Sequence, residues 1–147
     1  MDDRILISAC LLGVRCRYDG AGKTNAQALA LAEQVPCIPV CPEQLGGLPT
    51  PRPPAERQGA AVRTREGADV TAAYARGAEE TLRLVRRFGC RIAVLKERSP
   101  SCGKDCCYDG SFTGTLTDRS GVTAELLERN GIRVIGESEL ETFRKTL

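Results

Sequence analysis

The chain has 147 residues, of which 41% are hydrophobic, 27% charged and 4% aromatic, with no Trp and no His. That length fits one domain able to bury a core without disulfide staples. A net charge of +2 argues neither for nor against nucleic acid, scarce aromatics leave little for a base-stacking platform, and the absence of His removes Cys–His and Ser–His catalysis.

The start, Met1-Asp2-Asp3-Arg4, is acidic and leads into only a few apolar residues, which is not the pattern of a signal peptide. No apolar run approaches the length of a membrane span. A cytoplasmic protein with no membrane partner is expected. In that compartment structural disulfides are disfavoured, so eight cysteines point to metal, cluster or redox use.

Ile5 to Ala9 is a short apolar run that suits a buried strand. A loop with an Asp-Gly turn at Asp19-Gly20 follows, and Thr24 or Asn25 is placed to cap a helix running to Gln34. Cys37 to Val40 reads as a second strand. Gly46 to Glu56 is too rich in Pro and Gly for a regular element. Ala60 to Arg65, a Glu66-Gly67 turn and Ala68 to Thr71 read as a small hairpin or edge pair. Thr71 to Phe88 carries Tyr74, Ala78, Leu82, Val85 and Phe88 at helical spacing, with Gly89 as its C-terminal cap. Ile92 to Leu95 is a third strand, followed by a Gly- and Cys-rich loop to about Gly114. Thr123 is expected to cap a helix over Ala124 to Asn130, Ile132 to Ile135 to form a fourth strand, and Ser138 to cap a last helix to Lys145. Strands alternating with helices predict a single α/β domain over residues 1–147, with a mainly parallel sheet, helices on both faces and Rossmann-like layering.

The eight cysteines form no C-x-x-C pair, so zinc ribbons, thioredoxin-type dithiols and ferredoxin spacing are poorly supported. Position is the stronger signal. Cys10, Cys41 and Cys102 each lie just past an apolar strand, and strand carboxyl ends share one edge of a parallel sheet, where ligands bind. For any one of them a small buried hydrophobe is a fair alternative; for three together it is weaker. Three converging thiolates with no fourth would leave a metal centre with an open coordination position. Cys37 and Cys90 fall at strand starts and read as core or boundary residues. Cys16, Cys106 and Cys107 are loop residues near the proposed site and read as lining, with a second metal site or a sulfur-accepting role as alternatives.

Glu43, two residues after Cys41, would project near the same rim as a general acid or base; a solvated carboxylate is the plainer alternative. Ser99 and Ser101 flank Pro100 before Cys102 and would bond a substrate or only their own loop. Lys96 or Arg52 would stabilise developing negative charge. Arg17 and Asp19 would bind a polar heterocycle or simply pair with each other.

Three stretches, C-L-L-G-V-R-C-R-Y-D-G (Cys10 to Gly20), C-P-E-Q-L-G-G-L-P-T-P-R-P-P-A-E (Cys41 to Glu56) and L-K-E-R-S-P-S-C-G (Leu95 to Gly103), closely resemble the thiouracil desulfidase family. Y-D-G-S-F-T-G-T-L (Tyr108 to Leu116) and G-V-T-A-E-L-L (Gly121 to Leu127) extend the likeness over nearly the whole chain. The resemblance implies an oxygen-sensitive [4Fe–4S] cluster whose irons are held by Cys10, Cys41 and Cys102. Its fourth iron would be free for the sulfur of a small thiolated nucleobase. It further implies Glu43 and Ser101 as proton-transfer groups, and cluster-assembly machinery as a partner. Lys104 to Cys107 departs from the family pattern, with extra cysteines in place of a shorter, less polar stretch. Two other tasks fit the residues: sulfur transfer to an acceptor such as tRNA, and a non-catalytic zinc or redox-sensing module.

Overall fold

Every residue of the first strand, β1 (Ile5–Ser8), is buried in the computed structural model, which describes residues 4–147. Met1-Asp2-Asp3, read above as unlike a signal peptide, lies outside the described residues. Successive strand residues face opposite ways, so Ile5 and Ile7 enter one core cluster and Leu6 a second on the other face of the sheet. A 3-10 turn over Ala9–Leu12 follows.

Helix α1 (Ala26–Gln34) starts at Asn25, whose Oδ1 accepts the Gln27 N–H at 2.9 Å and the Ala28 N–H at 3.1 Å. The chain continues through β2 (Cys37–Val40), a one-turn helix α2 (Pro42–Leu45), and the hairpin strands β3 (Ala55–Gln58) and β4 (Ala61–Thr64). The long helix α3 (Thr71–Phe88) ends on Gly89 in the left-handed region, as a glycine cap allows. After β5 (Ile92–Leu95) come two-residue strands β6 (Cys107–Tyr108) and β7 (Leu116–Thr117), then α4 (Val122–Arg129), β8 (Arg133–Gly136) and α5 (Leu140–Arg144).

The central sheet is parallel with order β2-β1-β5-β8. One face packs Ile5, Ile7 and Ile135 against Leu31 of α1 and Leu140 and Phe143 of α5. The other packs Leu6, Ala93 and Val134 against Leu82 and Val85 of α3 and Leu127 of α4. Helices therefore cover both faces, and the chain is an α/β domain of the layered kind expected.

One local expectation is extended and two are corrected. Residues 61–64 pair backward with Ala55–Gln58 as well as forward, where Arg63 bridges Asp69 and the Val70 N–H donates to Val62 O at 2.9 Å. The Glu66-Gly67 turn does close, through Thr64 N–H to Ala68 O at 2.9 Å. The forward pairing ends at Val70, where Asp69 Oδ1 accepts the Thr71 N–H at 2.9 Å as α3 begins. Thr123 does not cap α4: its hydroxyl lies 2.8 Å from Ser101 Oγ. The N–H groups of Val122 and Thr123 donate to Pro100 O and Ser101 O, both at 2.8 Å, so the loop before Cys102 satisfies the helix start instead. Ser138 likewise donates to Glu97 Oε2 at 2.5 Å rather than capping α5.

Candidate functional site

Winding from β1 outward to β2, and then back across to β5, makes the loops after β1 and β5 diverge at the carboxyl edge of the sheet. A cavity of about 590 Å³ opens there, within the usual size for small-molecule sites. Four thiols line it, those of Cys10, Cys16, Cys41 and Cys102, together with the Glu43 carboxylate.

Each cysteine arrives on its own support. Cys10 sits in the 3-10 turn directly after β1. Cys41 is the residue from which α2 starts, with Pro42 in the first helical position, where a missing N–H costs nothing. Cys102 closes the loop after β5, where Ser99 Oγ accepts the Ser101 N–H at 3.1 Å and the Cys102 N–H at 3.0 Å. That bonding realises the plain reading of Ser99 as a loop-forming residue. The start of α4 then pins the same loop from behind.

The thiols of Cys16, Cys41 and Cys102 resist ionisation. Burial pushes Cys102 up to about 12, with hydrogen bonds from Ser8 and Ser101 pulling the other way. The Cys41 thiol is raised first by its hydrogen bond with the Cys16 thiol and then by burial. Cys16 is raised first by its bond with the Cys10 thiol. These groups become thiolates only against a compensating positive centre, as coordinated thiols do. Among the described residues, no three or more Cys, Asp or Glu side chains are gathered about a point that one metal ion would occupy. Cys10, Cys41 and Cys102 reach this one cavity from three separate loops, an arrangement that would suit a cluster whose corner irons each take one sulfur.

Glu43 stands on the first turn of α2, inside the cavity wall. Its Oε1 accepts the Tyr74 O–H at 2.8 Å and the Arg52 Nε–H at 2.9 Å. Burial works against the charge on Arg52, but the Glu43 carboxylate outweighs it and the guanidinium is held firmly protonated. Burial, then the negative charge of Glu43, pushes the Tyr74 phenol far up, so it remains a hydrogen-bond donor. Arg52 Nη2 also donates to Cys16 O at 2.9 Å, and Nη1 to Pro49 O at 3.1 Å and Thr50 Oγ1 at 3.0 Å.

Cys10, Cys41, Cys102 and Glu43 are thus brought together, whereas Ser101 is buried behind Cys102, outside the cavity wall, with its hydroxyl on Thr123. Cys37 and Cys90 sit at the opposite end of the sheet, and Cys106 and Cys107 also lie off the cavity. Lys96 lines the cavity but is paired with Glu137 at 3.2 Å. Arg17 pairs with Asp19 at 3.6 Å and lies over the Tyr18 ring. Sequence reasoning missed Tyr74, which it counted as one more apolar-face residue. The available signal was that a buried tyrosine hydroxyl needs a partner.

The architecture and the cavity define a parallel α/β protein with a thiol-lined pocket at the sheet's carboxyl edge. The chain belongs to the 2-thiouracil desulfurase family, whose model matches residues 5–139. It is 42% identical over 146 residues to the uncharacterized protein YbbK of Bacillus subtilis (strain 168), covering 92% of this chain and 97% of YbbK. It is also similar to the solved structure of the [4Fe-4S]-dependent thiouracil desulfidase TudS. That likeness has a TM-score of 0.92 at 47% identity and covers 99% of this chain and 97% of TudS.

Proposed function

We propose that the chain is an iron–sulfur-dependent desulfidase that removes sulfur from a small thiolated pyrimidine of the thiouracil kind, acting as one domain over residues 1–147. The observation that carries this reading is the convergence of Cys10, Cys41 and Cys102, from three separate loops, on a cavity that Glu43 also faces. The likeness to TudS supports it. In this reading the three cysteines hold a [4Fe–4S] cluster loaded by the cytoplasmic assembly machinery. Bound there, the cluster would supply a soft iron that prefers sulfur to oxygen and polarises a thiocarbonyl as a Lewis acid.

The chain's own residues do the rest. The cavity walls orient the base and exclude bulk water. Glu43 takes a proton from the water that adds to the thiocarbonyl carbon and holds it until the sulfur leaves. Ser101, behind Cys102, is the second proton-handling group. The balance is thiouracil plus water giving uracil plus hydrogen sulfide, a hydrolysis with no net electron transfer.

The test is anaerobic reconstitution with iron and sulfide, followed by absorption and EPR spectra and a thiouracil assay. Cys10→Ala, Cys41→Ala and Cys102→Ala are each expected to lose the cluster, and Cys37→Ala and Cys90→Ala to keep it. A protein that loads only zinc, or loses its cluster with Cys106→Ala but not with Cys102→Ala, would overturn the assignment. Sulfur recovered on an RNA acceptor instead of as free sulfide would favour the transfer reading.

A further inference from the structure

The Glu43 side chain is 14% exposed, and both of its recorded hydrogen bonds fall on the same oxygen, Oε1. Among the described residues no hydrogen-bond donor meets Oε2. The two donors come from different elements: Tyr74 from the first turn of α3, and Arg52 from the Pro-rich segment after α2. Both are buried. Such an arrangement does more than neutralise a carboxylate. Two fixed donors on one oxygen define the rotation of the carboxyl group, and so select which oxygen is presented to the cavity.

The approach of the helices is built for this reach. A Cβ on Gly77 would fall on the Pro42 carbonyl, and a Cβ on Gly46 on the Ala73 carbonyl. The backbones of α2 and α3 therefore touch through two glycines, one on each side. Only at that separation does a hydroxyl on the residue three before Gly77 reach a carboxylate on the residue three before Gly46. Arg52 is fixed separately by Cys16 O, Pro49 O and Thr50 Oγ1, so its position does not depend on Glu43.

We propose that Tyr74 and Arg52 are positioning residues for the desulfuration: they saturate Glu43 Oε1 and leave Oε2 as the single oxygen offered to the reacting water. The inference rests on the reading of Glu43 as the proton-transfer group. It predicts a defect in chemistry without a defect in binding, because neither residue needs to touch the base for its effect.

The experiment compares Tyr74→Phe and Arg52→Lys with Glu43→Gln, Glu43→Asp and the double variant Glu43→Asp/Tyr74→Phe, all as cluster-loaded protein. Cluster content is read from absorption. Thiouracil affinity is read from the change it produces in the cluster spectrum, and kcat and KM from turnover. Tyr74→Phe is expected to keep its cluster and its thiouracil affinity within about threefold while kcat falls about 10- to 100-fold, the range for losing a group that orients a functional side chain. Arg52→Lys should fall at least as far, since one ammonium cannot replace a fork that spans four oxygen acceptors and the Cys41 sulfur at 4.0 Å. In the Glu43→Asp background, whose shorter carboxylate no longer reaches Tyr74, the tyrosine substitution should cost little more.

A wild-type kcat in Tyr74→Phe, or a loss that multiplies in full onto Glu43→Asp, would overturn the inference while leaving the Glu43 reading intact if Glu43→Gln is inactive. Full activity in Glu43→Gln would overturn both. Should Arg52→Lys fail to fold, Tyr74→Phe still decides the question, because it deletes one oxygen and no packing volume.

Discussion

Replacing Gly77 by Ala adds one methyl group at the tightest contact between two helices. Its Cβ would overlap the Pro42 carbonyl, a backbone group that no rotamer change can move aside. Overpacking of this kind costs about 1–3 kcal/mol, because the helices must separate. The substitution also recovers about 0.5–1 kcal/mol, since glycine within a helix is entropically unfavourable relative to alanine. The difference is a net destabilisation of up to about 2.5 kcal/mol, or a few degrees in melting temperature for a chain of this size. The larger effect falls on function. Separating α2 from α3 pulls Glu43 away from Tyr74, and shifts of about 1 Å in such groups cost about 100-fold in rate. Thermal denaturation followed by circular dichroism, alongside turnover of the anaerobically loaded protein, checks both parts. A Gly77→Ala protein that melts at or above the wild-type temperature and turns over normally would refute the reasoning, because the helices would then have had room to spare.

Arg57→Met removes a buried guanidinium that pairs with Glu125 and also donates to Gly59 O and Ser120 O, and is expected to cost about 2–3 kcal/mol at neutral pH. Burial raises Glu125, but the hydrogen bond and charge of Arg57, with Arg129 and Arg119, outweigh it and hold the carboxyl below its ordinary 4.5. A lowered folded pKa gives stability that is full above the ordinary value and lost as pH falls through the folded one. The gap in melting temperature between wild type and Arg57→Met should therefore narrow below about pH 4.5; a gap constant from pH 3 to 7 would refute the pairing. Stripping metal with a chelator is expected to leave the far-ultraviolet circular dichroism unchanged, because both core clusters are built mainly from apolar side chains of the strands and helices. Loss of helical signal on chelation would place the protein with zinc fingers, whose fold forms only around the metal.

The sheet was legible because each of its four strands is a short apolar run whose neighbours are turn-forming or helical, and a parallel, two-sided sheet asks for that pattern. Asn25 and Gly89 were legible as caps because each needs only its own backbone geometry and a local partner. Thr123 and Ser138 look the same in sequence, yet both hydroxyls go to partners far along the chain, Ser101 and Glu97. Local propensity cannot see such a competitor. The one-turn helix over Pro42–Leu45 was hidden for another reason: four residues carry too little periodicity to read, although Pro42 at its first position was a fair sign. The cysteines at strand ends were visible as a set from position alone. Tyr74 was not, because what distinguishes it from its apolar neighbours on α3 is a carboxylate 31 residues earlier.

What holds the site together is a small number of long-range bonds that converge on the loop after β1. Cys16 O receives the Arg52 Nη2–H at 2.9 Å and the Cys41 thiol at 3.6 Å. One carbonyl thus ties the loop carrying Cys10 to the segment carrying Cys41 and Glu43. Arg52 N–H, donating to Tyr18 O at 2.8 Å, repeats the tie from the backbone. On the other side, the Lys96 N–H donates to Ser8 Oγ at 2.9 Å, joining the ends of β1 and β5. Hydroxyls, a guanidinium and main-chain groups thus do the work of alignment, so the cysteines are free of structural bonding through disulfides and remain thiols. In the proposed mechanism the proton transfer at the cavity falls to a carboxylate, which works best with its orientation fixed from outside the cavity. The Tyr74–Glu43–Arg52 contact meets that requirement, and it does so from the same segment that anchors Cys41.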